Sequence, residues 1–283
     1  MKRHLAQVNI ATLRYPIDDP RIADFVDALP LVNGTGEQSP GYVWRLQSDG
    51  GDATDIQVFD DPLVIVNLTV WESLEALKAF AYRGIHRDFF RRRAEWFAEG
   101  STRTALWWLP AGSLPTTDDA KRRIDFMEVF DSSPYGFAMG QSHPALVIER
   151  IGIDDTRAEE LSPHLDGDIP GADEGCFVVA EIDDAPVACG AYRRVDDTTA
   201  EIKRMYVAQS ARGMRVGAAI IAELETAARA DGLRRLVLET WARQLPWLEK
   251  FGFRRSPTSP ELMEAAGAIR LEKALTAEPG RLA

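Results

Sequence analysis

The stretch that most constrains the fold runs from Thr199 to Gly232: TAEIKRMYV, then AQSARGMR, then VGAAIIAELETAARADG. Its first part reads as a strand. Its last part reads as an amphipathic helix ended by Gly232, a residue suited to the position just past a helix. A strand needs neighbours to satisfy its backbone, and an amphipathic helix needs an apolar surface to cover. This region must therefore be a sheet with a helix folded back onto it. The turn between them holds Gly213 and Gly217, together with Arg212 and Arg215. A helix start presents unpaired N–H groups and the positive end of the macrodipole. Glycine lets backbone approach a ligand closely. Strand, glycine turn and helix together make an anion site, or equally a plain connection.

The chain has 283 residues, which as a prior gives two domains, each long enough to bury its own core. Its formal charge of −11 argues against sequence-independent nucleic-acid binding, which needs a basic face. Cys176 and Cys189 are the two cysteines, too few for a disulfide framework or a zinc site, and both read as small buried apolar residues. No metal is expected. The N-terminal MKRHLAQVNIATLRY lacks the apolar core of a signal peptide, and no apolar run approaches membrane length. A soluble cytoplasmic protein, without nucleic-acid or membrane partners, is the expectation.

The segment from Asp131 to Pro144, rich in Ser, Gly and Pro and ending PYGFAMGQSHP, reads as a linker, which sets the domains at 1–143 and 144–283. In the first half, HLAQVNI, YVWRLQ, LVIVNLTVW and TALWWLP read as strands. DPRIADFVDAL opens a helix at Asp19 and Pro20, Ser73 caps SLEALKAFAYR, and HRDFFRRRAEWF continues helical. Thr116 or Thr117 caps TTDDAKRRIDFMEVF. The β-α-β-β-α-β order fits a ferredoxin-like sheet. In the second half, ALVIERI, the hairpin pair about Asp183 and Asp184, TAEIKRMYV, RRLVLET and AIRLEKAL read as strands. TRAEELSPHL reads as a helix broken at Pro163, and LPWLEKFG as a short helix.

The turn segment resembles the acyl-coenzyme A signature of the GNAT acetyltransferase superfamily, Arg/Gln-x-x-Gly-x-Gly/Ala. Arg212, Val216 and Gly217 match it, and Gly213 is common in the family's Arg-Gly openings. Arg215 departs from it, because the family prefers glycine there. The resemblance spans about Ala145 to Leu275. CFVVAEIDDAPVACGAYRRVDDTTAEIKRMYV looks like the family's central hairpin and fourth strand, and RRLVLETWARQLPWLEKFGF like its fifth strand, helix and Gly-Phe turn. It implies a mixed sheet flanked by helices and acetyl-CoA as co-substrate. Met205, Tyr206 and Val207 would line the pantetheine arm. Arg212, Gly213, Met214, Arg215, Val216, Gly217 and Ala218 would hold the diphosphate. It also implies direct attack by an amine on the thioester. Glu201 is the first choice for base or substrate anchor and Glu239 the second, with Arg235 or Arg204 as partners for the latter. Leu248 stands where the family often has a tyrosine that protonates the departing thiolate. Tyr206 and Tyr192 are the available phenols. The acidic SPHLDGDIPGADEG, with Asp166, Asp168, Asp173, Glu174 and His164, would attract an amine or form a solvated rim.

The first half, His4 to about Met139, resembles a bacterial family known only as a domain of unknown function. Trp44-Arg45-Leu46, Asn67, Val70 to Ser73, His86, Arg93 and Trp96-Phe97 carry the resemblance. That family looks related to the dimeric α+β barrels, which include antibiotic-biosynthesis monooxygenases. The resemblance implies an α+β fold of two domains, the first ferredoxin-like and self-associating through its sheet as a homodimer. His86, Arg93 and Trp96 share one helix face. Trp44, Trp71, Trp107 and Trp108 are expected either to line a pocket for a small anion or aromatic ligand or to pack as core. Three readings stay open at this point. The chain is an N-acetyltransferase for a small-molecule amine, or an acyl-CoA sensor without turnover, or the carrier of a monooxygenase-like activity in its first domain.

Overall fold

The computed structural model describes residues 2–82, 84–152, 155–161, 175–257 and 267–275. The chain divides into two units, Met1–Val147 and Ile148–Ala283.

The first unit is built from β1 (Arg3–Thr12), α1 (Ala23–Glu37), β2 (Tyr42–Arg45), β3 (Val64–Trp71), α2 (Leu74–Ala81), α3 (Gly84–Trp96), β4 (Arg103–Pro110) and α4 (Thr117–Phe130). Its sheet has the order β2-β3-β1-β4, with every adjacent pair antiparallel. The helix starts follow the sequence signals. Asp19 accepts from the Arg21 N–H ahead of a short 3₁₀ turn, and Ser73 accepts from Ala76 at 3.1 Å. Thr116 and Asp119 form a reciprocal capping box. Strand alternation divides the sheet into two faces. Ala6, Val8, Leu68 and Val70 pack with Trp107 against Ala120 and Ile124 of α4. The opposite face is covered at one end by Leu13, Ile22 and Trp96, and at the other by Leu5, Trp71 and Leu77.

Two expectations are corrected here. α1 runs through Pro30 to Glu37 instead of ending near Leu29. The later turns pack in spite of the missing N–H, since Gly36 sits close enough to Phe80 that an added Cβ would lie 3.4 Å from its ring. The Asp131–Pro144 stretch is not a free linker. Phe137 forms a bridge with Leu106, and Tyr135 packs on Phe126 at 4.7 Å between ring centroids. Ser133 to Phe137 are buried. The two aromatic side chains outweigh the Ser, Gly and Pro around them.

The second unit contains β5 (Leu146–Ile151), α5 (Thr156–Leu161), β6 (Gly175–Ile182), β7 (Ala185–Arg194), β8 (Thr199–Val207), α6 (Val216–Ala230), β9 (Arg235–Trp241), α7 (Leu245–Leu248), β10 (Arg254–Arg255) and β11 (Ala268–Ala274). The sheet order is β10-β11-β9-β8-β7-β6-β5. It is mixed, because β8 and β9 run parallel among antiparallel neighbours. The β6–β7 hairpin turns on Asp183 and Asp184, at φ 52° and 70°. Two successive positive-φ residues give the primed turn whose twist matches a hairpin. α5 covers Phe177, Val179, Cys189 and Ala191 on one face. α6 lies over Gly190 on the other, through Ile220 and Leu224.

Burial of both cysteines has a chemical consequence. Desolvation pushes the Cys176 thiol up to about 11 and the Cys189 thiol up to about 12. Because the thiolate is the reactive form, both should resist iodoacetamide at pH 8 in the folded protein and react once urea exposes them. Mass spectrometry of the alkylated peptides checks this, and rapid native labelling of either thiol would contradict the burial.

Candidate functional site

The site in the second unit is created by a fork in the sheet. β8 pairs with β9 only over Thr199–Ile202, opposite Arg235–Leu238. Beyond that, β9 continues against β11, while β8 stays paired with β7 alone. Met205, Tyr206 and Val207 therefore have no strand beside them on the β9 side among the described residues.

A bulge accompanies the fork. Lys203 faces Ala191 and Tyr206 faces Cys189, so Arg204 and Met205 together oppose the single residue Gly190. Arg204 takes φ 57° to accommodate the extra residue. Gly190 fits because it has no side chain. A Cβ there would lie 2.4 Å from Ile220 and 2.7 Å from the Met205 sulfur. Reading the sequence missed both roles, although a glycine inside a strand pattern is a bulge signal.

β8 leads into the turn at the start of α6. Arg212 Nε donates to the Val207 carbonyl at 3.1 Å, closing the turn on the strand end. Gly213 takes φ 83° and Arg215, the N-cap, takes φ 63°. The first backbone bond of the helix runs from Ala219 N–H to Arg215 C=O at 3.1 Å. Helix geometry thus leaves the amides of Val216, Gly217 and Ala218 without an intrahelical acceptor. Residues 212–215 are exposed and Gly217 is half-buried, so the turn opens to solvent at the same end as Met205–Val207.

The left-handed Arg215 explains why glycine is preferred at that position. An L-residue with a side chain pays roughly 1–2 kcal/mol there. Glycine returns part of that gain as chain entropy in the unfolded state. Arg215→Gly should raise stability by about 0.5 kcal/mol, read from urea unfolding. A loss of stability would mean that the contacts of the arginine outweigh its strain.

The two proposed carboxylates sit differently. Glu201 is buried in the paired part of β8, with Lys203 Nζ at 3.2 Å and Arg193 at 3.6 Å. Glu239 is the first β9 residue beyond the last pair with β8, at the mouth of the fork, and is paired with Arg270 at 3.6 Å. Its charged neighbour is therefore Arg270 on β11, in place of the expected Arg235 or Arg204. Leu248 is buried at the end of α7. Tyr192 cannot stand in for it. Its hydroxyl donates to Asp231, just past the far end of α6. The fifteen residues of that helix place it about 22 Å from the turn. Burial, then the bond to Asp231, holds the phenol well above its ordinary value. Tyr206 is half-buried against the α5-side cluster. The acidic stretch with His164, Asp166, Asp168, Asp173 and Glu174 lies outside the described residues.

In the first unit a cleft of about 360 Å³ opens on the sheet face opposite α4, beneath α1 and α3. Of the four tryptophans grouped by sequence, only Trp71 lines it. Trp107 and Trp108 are consecutive in β4 and so point to opposite faces, and Trp44 packs with Trp107 on the α4 side. Arg93 and Trp96 of α3 do reach the cleft. The side chain of His86, in the same helix, lies outside the described residues.

Among the described residues no group of three His, Cys, Asp or Glu side chains could hold a metal ion. No described helix is long and apolar enough to cross a membrane.

Comparison with known proteins follows this division. No curated protein matches the chain. Among solved structures, an IAA acetyltransferase from Bacillus cereus is 19% identical over 46% of this chain and 100% of its own, with a TM-score of 0.38. A GNAT family acetyltransferase from Elizabethkingia anophelis with acetyl-CoA bound is 17% identical over 46% and 98%, with a TM-score of 0.37. The ribosomal-protein-S18-alanine N-acetyltransferase from Escherichia coli is 15% identical over 49% and 99%, with a TM-score of 0.38. A family model for the GNAT acetyltransferases matches residues 146–253. The model for DUF3291, a domain of unknown function, matches residues 4–150, just over half of the chain. The chain belongs to the DUF3291 family and carries, C-terminal to that domain, a GNAT acetyltransferase domain.

Proposed function

We propose that the protein is an acyl-CoA-dependent N-acetyltransferase acting on a small-molecule amine. The observation that carries this reading is the fork between β8 and β9 opening beside the glycine turn of α6. An unpaired strand side offers main-chain groups to an extended chain, as in strand addition. Met205, Tyr206 and Val207 supply that side to the pantetheine amides of acetyl-CoA. The amides of residues 213–218 take the diphosphate at its far end, with Arg212 and Arg215 adding charge. A main-chain N–H in the Met205–Val207 stretch polarises the thioester carbonyl and receives the charge that develops when nitrogen attacks.

The attacking amine must be neutral. Glu201 and Glu239 are the carboxylates assigned to accept its proton or anchor it, and Glu239 stands at the fork itself. The departing thiolate then takes a proton from solvent, because Leu248 supplies none. A missing general acid is worth roughly 10²–10⁴ in rate, so turnover is slow. That same leucine favours the second reading, an acyl-CoA sensor without turnover. We further assign residues 1–143 to a ferredoxin-like α+β-barrel domain that associates as a homodimer, and the protein to the cytoplasm.

Calorimetry with acetyl-CoA, followed by thiol release over a panel of amines, tests the proposal. Micromolar binding with amine-dependent thiol release supports the transferase. Binding without release supports the sensor, and no binding removes both.

A further inference from the structure

We propose that the cleft of the first unit binds a planar, uncharged ring compound that carries a hydrogen-bond donor and acceptor side by side, as a lactam does. Sheet centres are normally dry, yet here the middle of the face opposite α4 is polar. Asn67 and Asn9 lie opposite one another in β3 and β1, and Asn9 lies opposite Thr104 in β4. All three line the cleft, and Asn67 is exposed where the pairing of β2 with β3, which ends at Thr69, has run out. The Thr104 hydroxyl donates to Asn9 Oδ1 at 2.6 Å, which turns the amide N–H group of Asn9 away from Thr104. The Asn67 amide offers one donor and one acceptor in a plane.

A second polar row lies two residues along. The Trp71 indole N–H donates to Thr69 Oγ1 at 2.9 Å, and the Thr69 hydroxyl donates to Gln7 Oε1 at 2.8 Å. The Gln7 amide thus lies with its oxygen toward Thr69. Gln7 Nε2 is then buried without an acceptor among the described residues. Thr69 and Trp71 line the cleft and Gln7 does not, so this row braces the wall beside the asparagines.

The walls specify shape. Phe89 and Trp96 stack at 27° at one end of the cleft, and Phe80 and Trp71 stack at 25° at the other. The two tryptophans are buried and back the half-buried Phe80 and Phe89, whose flat apolar faces suit a ring compound between them. The volume is that of about a dozen waters, within the usual range for small-molecule sites.

The charges at the cleft argue against an ion. Arg45 is paired with Glu37 at 2.7 Å. Arg93 donates to the Phe90 carbonyl at 3.0 Å and lies over that ring. Asp52 accepts from the Thr54 N–H and hydroxyl. With Arg45 offset by Glu37, and the charges of Arg93 and Asp52 opposite in sign, the lining carries no net charge, and its central groups are amides and hydroxyls.

The test uses the full chain and three fused bicyclic probes in saturation-transfer NMR. 2-Quinolinone has the lactam, naphthalene has only the shape, and quinoline-2-carboxylate has the charge. 2-Quinolinone is expected to bind with a dissociation constant below about 1 mM. Asn67→Leu should weaken it about tenfold and leave naphthalene unchanged, because only the paired hydrogen bonds are lost. Val32→Phe, which fills the cleft from α1, should abolish binding of both and stands as the second variant. Three results would each overturn the proposal: no binding of 2-quinolinone, equal affinity in Asn67→Leu, or tighter binding of the carboxylate. None of them bears on acetyl-CoA, which belongs to the other unit.

Discussion

Gly217→Glu is expected to lower affinity for acetyl-CoA by more than about 100-fold while leaving the fold at least as stable as before. Space is not the reason. A Cβ at Gly217 would meet only Val207 Cγ2, at 3.4 Å, so a small adjustment admits it. The charge is the reason. A carboxylate in the first turn of a helix is favoured by the helix dipole and satisfies the same amides that a diphosphate would use. The substitution thus fills the site with a tethered anion. Gly217→Gln separates bulk from charge and should cost distinctly less affinity. Calorimetry with acetyl-CoA and thermal unfolding of the same samples read both effects. Unchanged affinity with an intact fold would remove the diphosphate from this turn.

The second large effect concerns stability. Glu225 on α6 is buried, and Lys273 on β11 reaches it at 2.6 and 2.7 Å, with Arg229 at 3.4 Å. Removing one partner of a buried pair leaves the other charge uncompensated and costs about 3–5 kcal/mol. Lys273 keeps some access to water, which places Glu225→Ala near the lower end, about 3 kcal/mol. For a unit of this size that corresponds to a fall in Tm of roughly 10 °C. Replacing all three members, Glu225→Leu with Lys273→Met and Arg229→Met, should restore most of the loss, because packed apolar residues replace buried ion pairs at little cost. A single variant within about 0.5 kcal/mol of the parent would show that solvent reaches the pair and screens it.

Legibility in the sequence followed the range of the forces involved. Local devices were readable. Ser73, Thr116, the Asp183–Asp184 turn and Gly232 act where they were expected, because each signal depends on a few bonds within a few residues. The position of the glycine turn at the start of α6 was readable for the same reason. What escaped depended on partners distant in sequence. α1 crosses Pro30 because Phe80 and the sheet lie under its later turns. The bulge at Arg204 is defined only by register against Gly190, and the partner of Glu239 only by register against Arg270. The tryptophans were grouped by residue type, whereas adjacent positions on a strand send Trp107 and Trp108 to opposite faces.

The fork between β8 and β9 also gives one strand two lifetimes. Thr199–Ile202 is held on both sides, by β7 and by β9, whereas Met205–Val207 is held on one. Deuterium therefore enters the outward amides of the second stretch long before it enters the first, and a few residues apart on one strand become a protected and an unprotected clock. Anything that closes the open side as an added strand slows the fast clock and leaves the slow one alone. The strand thereby reports its own occupancy, with no label and no need for a reaction to occur.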